Sequence, residues 1–555
     1  MQIAAPLHSE LKPALQWIEV ASFFQIPSFH IIGLPAPEIA EARERVRAAI
    51  DAVGLEFPRR RIIVNLAPAG VRKRGTGVDL AVALGILLEG QGAESVRPGE
   101  RWVAWGELGL NGALKASGQL TRGICAAWGA ADVFLVSRDE ASAAREILSW
   151  LAHSGWGADR GAAPRLEVAA TLGEAWERVL AKAQAPWASV TAIAETLTGQ
   201  PNDSVSEATS LQGAGLLPLR GSLKRTIAIA ATGRHHLLLL GPRGVGKTHA
   251  SEWLLALQPR AEARTSLERA WLAELSSEQT VLPSESSAPV RRIGSQARPP
   301  ALLGHCSIAS DTIRPGEFSL AHGGVLVADE IPEWHRDTRE LLREPLESGR
   351  VTLNRARGVA ELPARFQLVA TGNLCPCGGW PSTLTRTAGG DDSGEHAPSC
   401  RCSPNRQGQY LERLSGPVLD RTDIVSIVGK SAPLRALGTG AASPARQSDG
   451  LERLDFRVRE YAELREQVEH ARTRCLSRYS KLPSALSSQE LEELLSEHPS
   501  WKKALGRVLV RGLRSRHKAL RVALTLAAWD DAPEPLSAHF VEASFFRPER
   551  LGIFG

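Results

Sequence analysis

The chain is 555 residues long, 43% hydrophobic and 23% charged, with a net charge of +5 and a pI near 8.9. That length exceeds what one hydrophobic core fills, so two or three domains are expected, and the composition is that of a globular protein and not of a disordered or membrane chain. No apolar run approaches the ~20 residues of a membrane helix, and Met1 to Glu10 carries no basic-then-apolar leader, so a cytoplasmic protein with no membrane partner is expected.

From about Leu15 to Ala185 strand-like and helix-like patterns alternate, which predicts an α+β domain over 1–185. Ile39, Ala42, Val46, Ala49, Ile50 and Val53 fall at helical spacing before Gly54, and Arg61 to Leu66 is a short apolar strand. Two basic clusters flank that strand, Arg59-Arg60-Arg61 and Arg72-Lys73-Arg74; solvated surface is the ordinary reading for most such charge, and nucleic-acid contact is the alternative. The stretch Thr196 to Gly215 is rich in Ser, Thr, Gly, Asn and Asp without periodicity, so 186–215 is assigned as a linker.

An α/β core is expected over 216–435. Leu237 to Leu240 reads as a buried parallel strand and runs into Gly241-Pro242-Arg243-Gly244-Val245-Gly246-Lys247-Thr248, the P-loop pattern between a strand and a helix. Its glycines let backbone N–H groups turn inward around the phosphates of ATP. Lys247 would neutralise the β- and γ-phosphates, and the Thr248 hydroxyl would reach Mg²⁺. A second buried strand, Val325 to Ala328, ends in Asp329 and Glu330. These suit a Mg²⁺ ligand acting through water and a carboxylate that polarises the attacking water. A third apolar strand from Phe366 ends at Asn373, which either orients that water or is a turn residue.

Cys375 and Cys377, then Cys400 and Cys402, form two C-x-C pairs around a Gly-rich loop, with spacing tighter than the usual zinc knuckle. Four thiolates brought together would make a closed zinc site; four reduced thiols are the alternative. Arg421 stands between Asp420 and Asp423. From about Asp455 the chain is helical in pattern, broken at Pro483, Pro499 and Pro533, giving an all-helical domain over 450–555. Its basic run from Lys502 to Arg521 spreads over several helix faces, so at least one arginine is expected to point inward.

Taken together, these segments resemble the magnesium-chelatase-like AAA+ ATPases of the ComM (YifB) family over nearly the whole chain. The N-terminal phrases are Gly33-Leu-Pro-Ala-Pro-Glu38, Ala42-Arg-Glu-Arg-Val46, Asn65-Leu-Ala-Pro68, Asp79-Leu80 and Gly106-Glu-Leu-Gly-Leu-Asn-Gly112. Further on come Pro315-Gly-Glu-Phe-Ser-Leu-Ala-His322, Cys375-Pro-Cys-Gly378, Asp420-Arg-Thr-Asp423, Arg521-Val-Ala523 and His539-Phe-Val-Glu-Ala543. Arg243 stands where the family has a proline in its P-loop.

The resemblance implies a Lon-protease-like N-terminal domain of the ribosomal S5 type, an AAA+ ATPase core with a Cys-rich insertion at 375–402, and a helical lid. It implies Asn373 as a first sensor, Arg421 as an arginine finger offered to a neighbour's nucleotide, and Arg514 as a second sensor. A finger working in trans implies a ring, a homo-hexamer in the usual case, and the family's link to natural transformation implies a helicase acting on single-stranded or branched DNA. Lys73 to Asp79 holds no serine nucleophile and Gly118 to Gly123 no lysine base, so proteolysis is not expected. Two other readings stay open: an ATPase subunit that remodels a protein partner in a metal-insertion complex without DNA, and a nucleotide-dependent scaffold.

Overall fold

The computed structural model describes residues 2–7, 13–69, 71, 73, 75–91, 100–156, 159–184, 221–259, 262–277, 280–283, 288–306, 313–355, 358–379, 400–414, 418–428, 448–508 and 512–547. The expected linker, the loop within the cysteine insertion, Arg72, Arg74 and Arg511 lie outside the described residues.

The N-terminal domain is built on a mixed sheet. Its strands are β1 (Gln2–Leu7), β2 (Ala14–Phe23), β3 (Ser28–Ile32), β4 (Arg61–Ala67), β5 (Arg101–Trp105), β8 (Val133–Ser137) and β9 (Arg165–Ala169) in the order β3-β4-β2-β1-β5-β8-β9; β6 (Glu107–Leu108) and β7 (Leu114–Lys115) form a separate short hairpin. β4 alternates, with Ile62, Val64 and Leu66 buried while Arg61, Ile63 and Asn65 face the other way. The expected helix over Ile39 to Val53 is two pieces, Pro37–Ala40 and Ala42–Ala52. The apolar periodicity nevertheless holds across the break, with Ile39, Ala42, Val46, Ala49 and Ile50 all buried.

In the core, five strands form an all-parallel sheet: β10 (Leu237–Leu240), β11 (Val290–Ile293), β14 (Val325–Ala328), β17 (Gln367–Gly372) and β18 (Ile424–Ile427), ordered β11-β14-β17-β10-β18. The paired strands β12 (Gly304–Cys306) with β13 (Ile313–Pro315), and β15 (Arg350–Arg355) with β16 (Gly358–Pro363), stand outside it. Both faces of the parallel sheet are covered, which is why its strands read as unbroken apolar runs. Leu237 and Leu239 pack with Val325, Val327 and the C-terminal helices, while Leu238 and Leu240 pack with Leu326, Ala328 and Leu368 on the opposite face.

The C-terminal region is helical from Ser448–Tyr479 through Ser488–Glu497, Pro499–Arg507 and Leu513–Trp529 to Ser537–Phe545. Its basic run lies on two helices, not one, because Pro499–Arg507 ends before Leu513–Trp529 begins. Among the described residues of that run Lys518 is buried, and Arg521 also turns inward as expected, with Nη1 3.9 Å from the buried Asp423 and Nη2 donating to the Leu486 carbonyl. Lys518 donates to the Leu419 carbonyl at 3.1 Å, and burial brings its ammonium down to about 7.

The N-terminal domain meets the core through a helix terminus. Helix Leu120–Ala127 has no side-chain cap of its own. Glu274, on the core helix Ala263–Ser277, instead accepts the Thr121 and Arg122 backbone N–H groups at 3.0 and 3.2 Å. Among the described residues no helix is long and apolar enough to cross a membrane.

Candidate functional site

Three strands of the parallel sheet deliver the candidate residues to its carboxyl edge, because β10, β14 and β17 run in the same direction and in register. β10 continues into the P-loop, β14 into Asp329 and Glu330, and β17 into Asn373. The Gly241 N–H donates to the Gly372 carbonyl at 3.2 Å, which ties the P-loop entrance to the end of β17. Gly244 and Gly246 have φ of +77° and +89°, a region that side chains resist. Gly246 then caps helix Lys247–Ala256. The Thr248 side chain lies in the first turn of that helix, on an exposed residue.

Lys247 folds back over its own loop. Its Nζ donates to the Gly241 and Pro242 carbonyls at 2.8 and 2.9 Å and to Asn373 Oδ1 at 3.2 Å. Burial lowers the pKa of this ammonium, and the Glu330 carboxylate partly offsets that. A cation thus stands at the strand ends beside the buried amide of Asn373. Asp329 and Glu330 are joined by a residue that the sequence did not single out. Thr371 Oγ1 donates to Asp329 Oδ1 at 3.2 Å and accepts the Glu330 N–H at 3.1 Å. Glu330 has φ of +49°, a strained conformation for a non-glycine residue, and its side chain is exposed at the edge.

The four cysteines meet directly after Asn373. Their Sγ atoms all lie within 4.8 Å of one another; Cys375 and Cys400 are 2.9 Å apart, and Cys377 is 3.4 Å from Cys375 and 3.5 Å from Cys400. Sulfurs also accept N–H groups, Cys377 from Gly379 at 3.4 Å and Cys400 from Gln407 at 3.2 Å and Cys402 at 3.3 Å, as thiolates do around a metal. This donor set fits structural Zn²⁺ and leaves no open position. The same turn touches the P-loop: the Arg243 N–H donates to the Gly378 carbonyl at 3.1 Å.

Arg421 does not pair with its sequence neighbours. Its Nη2 donates to Glu347 Oε2 at 2.6 Å, across to helix Arg343–Ser348. Asp423 is instead buried against His235, at 3.3 Å. The Arg421 hydrogen bond holds the Glu347 carboxyl below its ordinary range, and the charge of Arg514 adds to this. Arg514 itself is exposed in the first turn of helix Leu513–Trp529. The Glu347 pairing with Arg421 is set by the folded chain, 74 residues apart in sequence.

Comparison with known proteins places these features in a family. The profile described as "Magnesium chelatase, subunit ChlI" matches residues 220–434; "Subunit ChlI of Mg-chelatase" matches 18–138, and "Magnesium chelatase, subunit ChlI C-terminal" matches 459–547. Competence protein ComM of Haemophilus influenzae is 31% identical over 526 residues, covering 94% of this chain and 92% of that protein. The uncharacterized protein YifB of Escherichia coli is 31% identical over 533 residues, covering 96% and 93%. With its mixed-sheet N-terminal domain, parallel-sheet core and helical C-terminal domain, the chain belongs to the magnesium-chelatase ChlI-like ComM/YifB family.

Proposed function

We propose that the chain is an ATP-hydrolysing AAA+ motor that works as a ring, most simply a hexamer, on single-stranded or branched DNA, with a Lon-like domain at 1–185, an ATPase core at 216–435 and a helical lid at 450–555. The observation that carries the ATPase reading is the meeting of Lys247 with Asn373, beside Asp329 and Glu330, at one sheet edge.

The P-loop N–H groups of Gly241 to Thr248 bind the phosphates, and Lys247 exchanges its present carbonyl partners for phosphate oxygens. Thr248 and Asp329 would hold Mg²⁺, which would supply charge neutralisation at the phosphates. Glu330 polarises the lytic water and Asn373 orients it. Arg421 reaches a neighbour's γ-phosphate, and Arg514 reads the nucleotide from the lid. Cys375, Cys377, Cys400 and Cys402 would hold a structural Zn²⁺, which would cross-link the turn after Asn373. The DNA reading rests on similarity to a competence protein.

Glu330→Gln tests the chemistry. It should bind ATP as wild type does and hydrolyse it about 10²- to 10⁴-fold more slowly, because the phosphate and metal ligands remain while the base is lost. Turnover and equilibrium binding are measured together, and wild-type turnover refutes the assignment. A second reading, remodelling of a protein partner, is favoured by the chelatase-subunit match across all three regions. ATPase stimulation by single-stranded DNA or a four-way junction separates the two.

A further inference from the structure

The N-terminal sheet ends in a feature that the ATPase chemistry does not use. At the turn between β2 and β3, Phe24 and Ile26 are 87% and 88% exposed, and Phe23 beside them is 44% exposed. Side chains that open bury almost no area on folding, so the core does not require them. They do not stand alone. The register sets Phe23 opposite Arg61, and Arg61 in turn opposite Ser28, so a cation lies in the middle of the outer row of β2, β4 and β3. The Arg60 guanidinium lies 4.0 Å from the Phe24 ring centroid, and Arg61 Nη1 donates to Gln25 Oε1 at 2.9 Å. Arg59, 89% exposed, completes three consecutive arginines; its acid neighbour Glu56 is 3.8 Å away and nearly as open.

Exposed aromatic faces beside arginines, on an open sheet, match one class of partner. Bases stack on aromatic rings and guanidinium planes, and phosphates pair with the remaining arginine donors. A purely apolar partner would leave three desolvated guanidinium groups to be paid for. Glu19, further along β2, accepts a hydrogen bond from Asn65 Nδ2 at 2.6 Å. We propose that the β2–β3 tip, with Phe23, Phe24, Ile26 and Arg59 to Arg61, is a binding surface for single-stranded nucleic acid, read through stacking and phosphate contact and not through base identity. This deepens the DNA reading above and rests on it.

The test uses the full chain, a non-hydrolysable ATP analogue and a fluorescein-labelled oligodeoxythymidine, with anisotropy recorded over a salt series. Phe24→Ala should weaken binding about 5- to 100-fold. The triple replacement R59A/R60A/R61A should reduce the slope of log affinity against log salt by about 2, three contacts at about 0.7 each. Sedimentation and DNA-free ATP turnover should match wild type in both variants, since these residues lie outside the nucleotide site. Wild-type binding with unchanged affinity and slope in the variants overturns the surface and leaves the DNA reading standing. Loss of self-association in either variant also overturns it, assigning the tip to contact with a second copy. Wild type that binds no strand at all overturns both.

Discussion

If Arg421 is the finger that a neighbour's nucleotide requires, it must be able to leave Glu347. That pair is short, at 2.6 Å, but Glu347 is 56% exposed while Arg421 is 10% exposed. Water and salt screen such a contact to at most about 1 kcal/mol, a factor of about five. An arginine finger contributes about 10³ to 10⁵ in rate, which is roughly 4–7 kcal/mol in the transition state. The Glu347 pair by itself is therefore small against what the finger contributes. Arg421→Ala should bind nucleotide within a few-fold of wild type and turn over about 10³-fold more slowly or worse, while Glu347→Gln should change turnover less than about fivefold. The decisive assay mixes Arg421→Ala subunits with Lys247→Ala subunits, each inactive alone. Mixed rings contain interfaces that join an intact P-loop to an intact finger, so turnover should partly return. No recovery in rings of proven mixed composition refutes a shared site, and a fully active Arg421→Ala protein refutes the finger.

Gly378→Ala should weaken binding of an ATP analogue several-fold to about tenfold, because φ of +76° costs a side chain about 1–2 kcal/mol and the new Cβ would sit 2.8 Å from Arg243 Cδ; affinity equal to wild type would break the proposed link between the cysteine turn and the P-loop. Purified, reduced protein should carry about one zinc per chain by elemental analysis, and removing it should lower both the melting temperature and nucleotide affinity; protein free of zinc with normal stability refutes the metal. Burial raises the Glu274 carboxyl from 4.5 to about 7 in the folded chain, so the folded state binds the extra proton between those values and stability is lost as pH rises through about 7. Glu274→Gln cannot ionise, so it should flatten the fall in melting temperature between about pH 5 and pH 8, and an unchanged slope would show that Glu274 does not carry it.

What could be read from the sequence was whatever is local in the chain. Leu237 to Leu240 and Val325 to Ala328 are strands with the expected bounds, because a strand covered on both faces must be continuously apolar. The four cysteines and their meeting were findable from the two C-x-C pairs, although that spacing is tighter than the usual zinc knuckle. Contacts set by topology were invisible. Thr371 looks like any strand threonine until β14 and β17 pair in register and place its hydroxyl between Asp329 and Glu330. Asp420 and Asp423 beside Arg421 misdirect, because the chain there forms the short helical turn Leu419–Arg421 and sends Asp423 inward to His235. The split at Glu41 and the two-helix placement of the basic run have the same origin: side-chain periodicity persists across a backbone break and does not mark it.

One short stretch joins the nucleotide chemistry to the cysteines. Asn373 holds Lys247; Cys375 follows two residues later, and Gly378 three residues beyond that accepts the Arg243 N–H of the P-loop. A metal fixing Cys375 and Cys377 to Cys400 and Cys402 would therefore fix both ends of this stretch against the loop that cradles phosphate. Arg243 enters through its backbone, so a proline at that position, which has no N–H, could not make the contact. A chain with arginine there can brace its P-loop on the cysteine turn, whereas a chain with proline must hold the loop by other means. The replacement Arg243→Pro removes that hydrogen bond together with the guanidinium charge near Lys247, a charge loss that Arg243→Ala shares while keeping the N–H, and leaves Lys247, Thr248 and all four cysteines in place. It should reproduce the nucleotide-binding defect of Gly378→Ala without releasing zinc, and if the two variants differ in nucleotide affinity by more than about tenfold, the Arg243–Gly378 bond is not what couples the two sites.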